Sequence, residues 1–253
     1  VVEGRNRIEL RDILAGEVWL CSGQSNMQMA LQQVKDSQRE ISAADYPGIR
    51  LFHVDRTTAQ TPQDDVPGSW AACRPETARE FSATAYFFGR HLHRELDVPV
   101  GLIHSSWGGT RIEPWTPPCG YADVPELADL REQVLLADPA APEHKARLRE
   151  YLDETRRWIT TAEAAAETHS PHDPPPPYPE ELQHGTMPRS SHTTLYDGMI
   201  HGLLPCPIRG AIWYQGESNH RDGNNAGNMI YAFKMEALIK GWRSVWDLRS
   251  EEH

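Results

Sequence analysis

The stretch "GEVWLCSGQSNM" (16–27) decides how the chain is built. Residues 17–22, EVWLCS, are a short apolar and aromatic run, the pattern of a buried strand. A glycine-containing turn follows, and a polar segment from Asn26 to about Glu40 predicts a helix. Ser25 stands at the junction. Two roles fit it there: the cap of the new helix, or a hydroxyl placed at the carboxyl edge of a sheet as a nucleophile.

The same rhythm continues outward. IRLFHV (49–54) predicts a second strand, and TPQDDVPGSW (61–70) a loop rich in Pro, Asp and Gly. Phe81, Ala85, Phe88, Leu92 and Leu96 recur at helical spacing, so 81–96 is an amphipathic helix. VPVGLIHSS (98–106) is the next strand, and IRGAIWYQGES (208–218) a later one. Ala232 to Trp246 predicts a closing helix. Strand, helix and strand in this order make βαβ units, hence an α/β fold with a mostly parallel sheet.

Between these runs lies a different composition. Residues from about Pro125 to His169 are polar and rich in Ala, Glu and Arg. Leu148, Tyr151, Leu152, Trp158 and Ile159 form a thin apolar stripe expected to pack a helix on the main domain. SPHDPPPPYPEELQHGTMP (170–188) is excluded from regular structure because proline lacks the N–H and blocks a helix. The organisation expected is therefore a domain over 15–253, with an insertion at about 120–190. Residues 1–14 are expected to end a preceding β domain or to be a linker.

Bulk properties narrow the function. The 253 residues carry a net charge of −11, which argues against nucleic acid and anionic membranes as partners. No apolar run approaches the roughly 18 residues of a membrane span. The ends, VVEGRNRIEL and RSEEH, read as cuts within a longer protein, so no targeting segment is available to place it. Cys21, Cys73, Cys119 and Cys206 contain no C-x-x-C; free thiols or one or two disulfides both fit.

Three strand ends carry the chemistry. The first is SGQSNM (22–27), where a serine hydroxyl and its own N–H meet a helix start. The second is SSWGGT (105–110), whose paired glycines let a backbone N–H approach a ligand with no Cβ in the way. The third is WYQGESN (213–219), where the Asn219 amide can donate to a developing oxyanion, or close an Asx-turn. Glu217 beside it can bond the turn or a substrate.

Together these blocks resemble the SGNH hydrolases. GEVWLCSGQSNMQMAL, GLIHSSWGGTRIEPW, LYDGMIHGLLP and IRGAIWYQGESN are similar to the sialate O-acetylesterase family of SGNH/GDSL-like carbohydrate esterases, over roughly 12–118 and 192–246. The resemblance implies a flavodoxin-like sheet with helices on both faces, incomplete at the carboxyl end. It implies Ser25 as nucleophile, with its N–H, that of Gly109 or alternatively Gly108, and the Asn219 side chain as oxyanion donors. It implies that Gln24, Trp107, Arg111, Glu113 and Glu217 line the pocket. The implied substrate is an acetylated sugar, sialic acid first or another carbohydrate such as xylan. No metal or organic cofactor is implied, and the implied site of action is extracytoplasmic.

One part is missing. The family's base is the His of an Asp-x-x-His pair downstream of the GESN block, and none of the 12 histidines lies three residues after an aspartate. Asp197 and His201 are one residue too far apart; Glu181 and His184 sit in the Pro-rich stretch; His253 has no such Asp. His91 and His93 read as ordinary residues of the amphipathic helix. His104, His201 and His220 lie near family blocks without matching the base. The expectation is a fragment that is inactive alone, with a non-catalytic carbohydrate-binding relative as the alternative.

Overall fold

The structure, a computed structural model, describes residues 2–3, 7–9, 11–182, 189–220 and 227–247. His184 and His253 lie outside the described residues. The chain divides into two compact units, one of residues 1–56, 66–110 and 205–215, the other of 57–65, 111–204 and 216–253.

The first unit begins with two short antiparallel strands, β1 (Val2–Glu3) and β2 (Arg7–Ile8). Its body is a five-stranded sheet of β3 (Glu17–Gly23), β4 (Tyr46–His53), β5 (Trp70–Cys73), β6 (Val100–Ser106) and β7 (Gly210–Tyr214), in the order β5-β4-β6-β3-β7. All pairs are parallel except β4–β5 at the edge. The mostly parallel α/β sheet expected from the strand–helix rhythm is therefore the one found. β3 lies inside the sheet, between β6 and β7, and its near-continuous apolar run suits burial on both faces. β3 pairs with β6 from Glu17↔Val100 to Gly23↔Ser106, and with β7 up to Gly23↔Tyr214. The carboxyl ends of three neighbouring strands thus stop at one level.

Helix α1 (Ser25–Gln28) follows β3 and lasts one turn. The helix predicted from Asn26 to Glu40 is instead three pieces: α1, a 3₁₀ turn at Leu31–Gln33, and α2 (Ser37–Ser42). The cause is tertiary. Backbone groups of 29–32 pair with 79–83, through Leu31 N to Phe81 O at 2.9 Å, Gln32 N to Arg79 O at 3.0 Å and Ala83 N to Met29 O at 2.8 Å. The Ser82 and Thr84 hydroxyls donate to Met27 O and Asn26 O, satisfying carbonyls that a longer helix would have used.

Helix α3 (Pro75–Ala78) precedes α4 (Ala83–Leu96), which starts two residues later than its apolar spacing predicts because Ser82 accepts from Ala85 N as its N-cap. α4 packs on β4 and β6. Strand β5 was hidden at the end of the predicted loop; Trp-Ala-Ala-Cys is too short and too bland to signal itself. Cys21, Met27, Leu31, Ile49, Phe81, Tyr86 and Leu102 form the core of this unit.

The second unit is helical. It contains α5 (Ala128–Ala137), α6 (Pro142–Glu167), α7 (Thr194–Met199) and α8 (Gly227–Val245). Tyr121, Val124, Leu127, Val134 and Ala237 make an apolar cluster that composition did not signal. The stripe of α6 is only partly used: Leu152 and Ile159 are exposed. Tyr151 meets the Tyr178 ring, and Trp158 Nε1 donates to Asp173 O at 2.8 Å, so the partner of α6 includes the Pro-rich segment itself. That segment holds one 3₁₀ turn, Glu180–Leu182, and is otherwise irregular to residue 182. All four cysteines are free thiols, Cys21 and Cys73 buried in the core. Among the described residues no helix is long and apolar enough to cross a membrane.

Candidate active site

Ser25 is the first residue of α1 and is exposed. The capping role does not apply to it: the N-cap is Gln24, and no side chain caps the turn. Gln24 is buried and donates its N–H to Tyr214 O at 2.9 Å, which fixes the strand-to-helix corner. Among the described residues no hydrogen bond holds the Ser25 hydroxyl. With only four residues in α1, the helix dipole contributes little at this corner. What the first turn of a helix offers is N–H groups that have no acceptor within the helix itself.

Gly23 makes the corner possible. Its φ is +142°, and a Cβ there would lie 2.2 Å from Tyr214 O. Its carbonyl accepts from Trp107 N at 3.1 Å, which draws the SSWGGT turn across the end of β3. In that turn the Thr110 hydroxyl donates to Trp107 O at 2.7 Å and Gln215 Nε2 donates to Thr110 O at 3.1 Å. Gly109 has φ +74°, a conformation glycine adopts at no steric cost. A Cβ on Gly108 would lie 3.6 Å from the Cα and Cβ of Ser25, so the turn passes directly beside the serine. The Gly108 N–H is already used: it donates to Gln28 Oε1 at 2.6 Å. Trp107 and Gly108 are half-buried and Gly109 is exposed.

The second unit holds the remaining candidates. Asn219 is 2% exposed; its Oδ1 accepts from Ile112 N at 3.0 Å and its Nδ2 donates to Glu113 Oε2 at 3.0 Å. Its own N–H donates to Gly216 O, closing the turn after β7. Glu113 is 4% exposed and also accepts from Lys234 Nζ at 2.6 Å and from Arg111 at 3.3 Å. Burial works against this carboxylate's charge, but the hydrogen bonds from Lys234 and Asn219 and the Lys234 charge outweigh it and hold its pKa down at about 2. Arg111 is half-buried and Glu217 is exposed.

Lys234 was not anticipated, although a signal existed. It shares the apolar stripe of α8 with buried Ala237, Leu238 and Trp242, at i+3, i+4 and i+8, where a cation has no reason to sit without a partner. Nor was Gln28, which holds the glycine turn.

The histidines divide simply. His104 is buried between Ser106 Oγ at 2.6 Å and His53 Nδ1 at 3.2 Å; burial first, then the charges of His53 and Arg56, lower its pKa to about 3, so it is neutral. His201 Nδ1 is bonded to Gln63 O at 2.9 Å, and His93 Nδ1 to Val98 O at 2.7 Å. His91 and His220 are exposed.

The chain is similar to known carbohydrate esterases. The family described as "Carbohydrate esterase, sialic acid-specific acetylesterase" matches residues 15–133. The chain is 33% identical to a sialate O-acetylesterase of Rattus norvegicus, over 94% of the chain and 41% of the relative. It is 30% identical to the sialate O-acetylesterase of Homo sapiens, over 96% of the chain and 38% of the relative. The chain therefore spans about two fifths of the length of these curated relatives. Among solved structures, a carbohydrate acetylesterase from Xanthomonas citri superposes with a TM-score of 0.62 at 27% identity, covering 92% of this chain and 39% of that one.

Proposed function

From a chain that belongs to the sialate O-acetylesterase family of carbohydrate esterases, we infer the nucleophile-bearing part of a serine esterase that removes O-acetyl groups from sugars. The observation that carries the reading is an exposed Ser25 two residues past Gly23, the last residue of the interior parallel strand β3, with a double-glycine turn packed beside it. In this reading Ser25 Oγ attacks the acetyl carbonyl carbon and the sugar hydroxyl leaves with a proton. Water then hydrolyses the acetyl-serine. The oxyanion is held by the N–H groups of Ser25 and Gly109 and by the Asn219 amide. Gly109 is preferred to Gly108 because Gln28 already occupies the Gly108 N–H.

Acetylated sialic acid is the first substrate of choice, by family. Another acetylated carbohydrate is equally compatible with Ser25, Gly109 and Asn219, since these groups serve the acetyl and not the sugar. Gln24, Trp107, Arg111 and Glu217 are proposed to line the sugar side of the pocket. The general base is proposed to be a histidine outside these 253 residues, because no Asp-x-x-His occurs among them. An extracytoplasmic location is proposed on family grounds.

The test is Ser25→Ala in the full-length protein, assayed with an aryl acetate. Loss of the nucleophile should lower kcat at least about 10³-fold in a protein that melts like the parent. Near-normal turnover would remove Ser25 from the mechanism. A full-length protein that is inert towards acetyl esters yet binds an acetylated sugar would favour the non-catalytic relative.

A further inference from the structure

We propose that Glu113 and Lys234 are a positioning pair: they set the orientation of the Asn219 amide and cancel the negative charge that would otherwise sit beside the oxyanion. The inference rests on the reading of Asn219 as an oxyanion donor and adds how that donor is held and tuned.

The amide has one workable orientation. Ile112 N–H points at Oδ1 from 3.0 Å, and a carboxylate oxygen of Glu113 accepts at 3.0 Å from Nδ2. Flipping the side chain would oppose N–H to N–H and oxygen to carboxylate, so both contacts select the same state. An amide nitrogen carries two hydrogens. Glu113 takes one, which fixes the plane of the rigid sp² amide and so the direction in which Asn219 faces the oxyanion in that reading.

A bare carboxylate in that position would be costly for the reaction. The oxyanion is a developing negative charge, and Glu113 would repel it through the same amide. Lys234 removes the conflict. Its ammonium lies 2.6 Å from Glu113 Oε1, the carboxylate oxygen that Asn219 does not use. The pair is buried, Lys234 at 7% and Glu113 at 4% exposure, so solvent screening does not substitute for the lysine.

Among the described residues, Glu113 has further neighbours, and Thr116 N donates to its main-chain carbonyl at 3.2 Å. Arg111 reaches Oε1 at 3.3 Å from the same segment. Tyr121 Oη and Thr193 N donate to its main-chain carbonyl. His192 stands close enough that Glu113 and Lys234 act on its proton; burial lowers its pKa first, Glu113 raises it, and Lys234 and Arg111 lower it further. A half-exposed arginine at the longer distance does not replace a buried ammonium, so loss of Lys234 should leave Glu113 largely uncompensated.

The test uses the full-length protein and four variants: Lys234→Met, the double variant Glu113→Gln with Lys234→Met, Asn219→Ala and Ser25→Ala. Lys234→Met should lower kcat for an aryl acetate about 10–10²-fold with KM within about threefold, the signature of a transition-state effect. The ratio of parent to variant should be larger at pH 8 than at pH 5, because acid protonates the Glu113 left without its lysine. The double variant keeps an acceptor for Asn219 Nδ2 and carries no charge, and should recover kcat to within about tenfold of the parent. A purely structural role would move the melting temperature and leave the pH ratio flat. The inference fails if folded Lys234→Met keeps kcat within twofold, if the effect is confined to KM, or if the double variant is no better than the single. Should Lys234→Met not fold, the double variant decides: a folded neutral pair that is as slow as Asn219→Ala overturns the proposal. If Asn219→Ala is silent while Ser25→Ala is dead, the oxyanion assignment of Asn219 falls. If Asn219→Ala is impaired and Lys234→Met is not, only the positioning pair falls.

Discussion

Gly23→Ala should be the most damaging methyl that can be added near the site. The new Cβ would lie 2.2 Å from Tyr214 O, 2.7 Å from Tyr214 C and 2.9 Å from Tyr214 N, all backbone atoms of the neighbouring strand. None can rotate away, so β3 and β7 must separate where their pairing ends. Three costs add. Holding a non-glycine residue at φ +142° costs about 1–3 kcal/mol. Forcing a methyl into a filled space costs about 1–3 kcal/mol. The Gln24 N to Tyr214 O bond, on the oxygen the methyl strikes, is worth about 0.5–1.5 kcal/mol. The sum is about 2.5–7.5 kcal/mol, a large share of the roughly 5–15 kcal/mol of a typical domain. At about 2–4 °C per kcal/mol for a chain of this size, the melting temperature should fall by about 5 °C or more. Gly216→Ala is the control, because among the described residues its Cβ would meet only the Tyr231 phenol, at 3.8 Å and 3.9 Å. It should melt within about 2 °C of the parent or slightly above it. Thermal unfolding followed by circular dichroism at 222 nm decides. A Gly23→Ala protein melting with the control would refute the claim that backbone contact at this corner is unyielding.

Two further outcomes follow from the same geometry. Gly108→Ala puts a methyl 2.9 Å from Gln28 Oε1 and 3.6 Å from Ser25 Cβ, so it should weaken one hydrogen bond, about 0.5–1.5 kcal/mol, yet crowd the nucleophile and lower kcat/KM for an aryl acetate about 10–10²-fold; unchanged kcat/KM at unchanged stability would show that the turn does not face the reaction. Asp197 is buried, and burial first, then the Asp138 charge, raise its pKa to about 7, with a Thr193 hydrogen bond opposing. The folded state therefore keeps a proton that the unfolded chain releases from about pH 4, so stability should fall as pH rises from about 4 to about 7 and level off above. Asp197→Asn should flatten that part of the melting-temperature profile and raise it above pH 7; a profile with the parent's slope would exclude Asp197 as its cause.

Much of this protein is written locally. β3, β4, β6 and β7 are legible because buried parallel strands must be short apolar runs whatever surrounds them. Ser25, the proposed nucleophile, and the glycines of SSWGGT are legible because a strand-to-helix corner and a close backbone approach favour small residues at strand ends. Asn219 and Glu113 are equally visible as members of quoted family blocks. Their relation is not, since nothing in WYQGESN or RIEPW announces that one side chain orients the other.

What only the tertiary structure decides is who bonds to whom. The polar run after Ser25 has a helical composition, yet its backbone pairs with 79–83 and the helix breaks after one turn. Both glycines of the turn look equivalent in sequence; Gln28, folded back from α1, takes the Gly108 N–H and leaves Gly109 as the assigned donor. Lys234 lies 121 residues from Glu113 along the chain, and only packing of α8 puts its ammonium on that carboxylate. Local sequence fixes which groups the chain can offer. Hydrogen bonds and ion pairs are satisfied between groups distant in sequence, and burial makes that satisfaction obligatory, so the final partners are set by the fold.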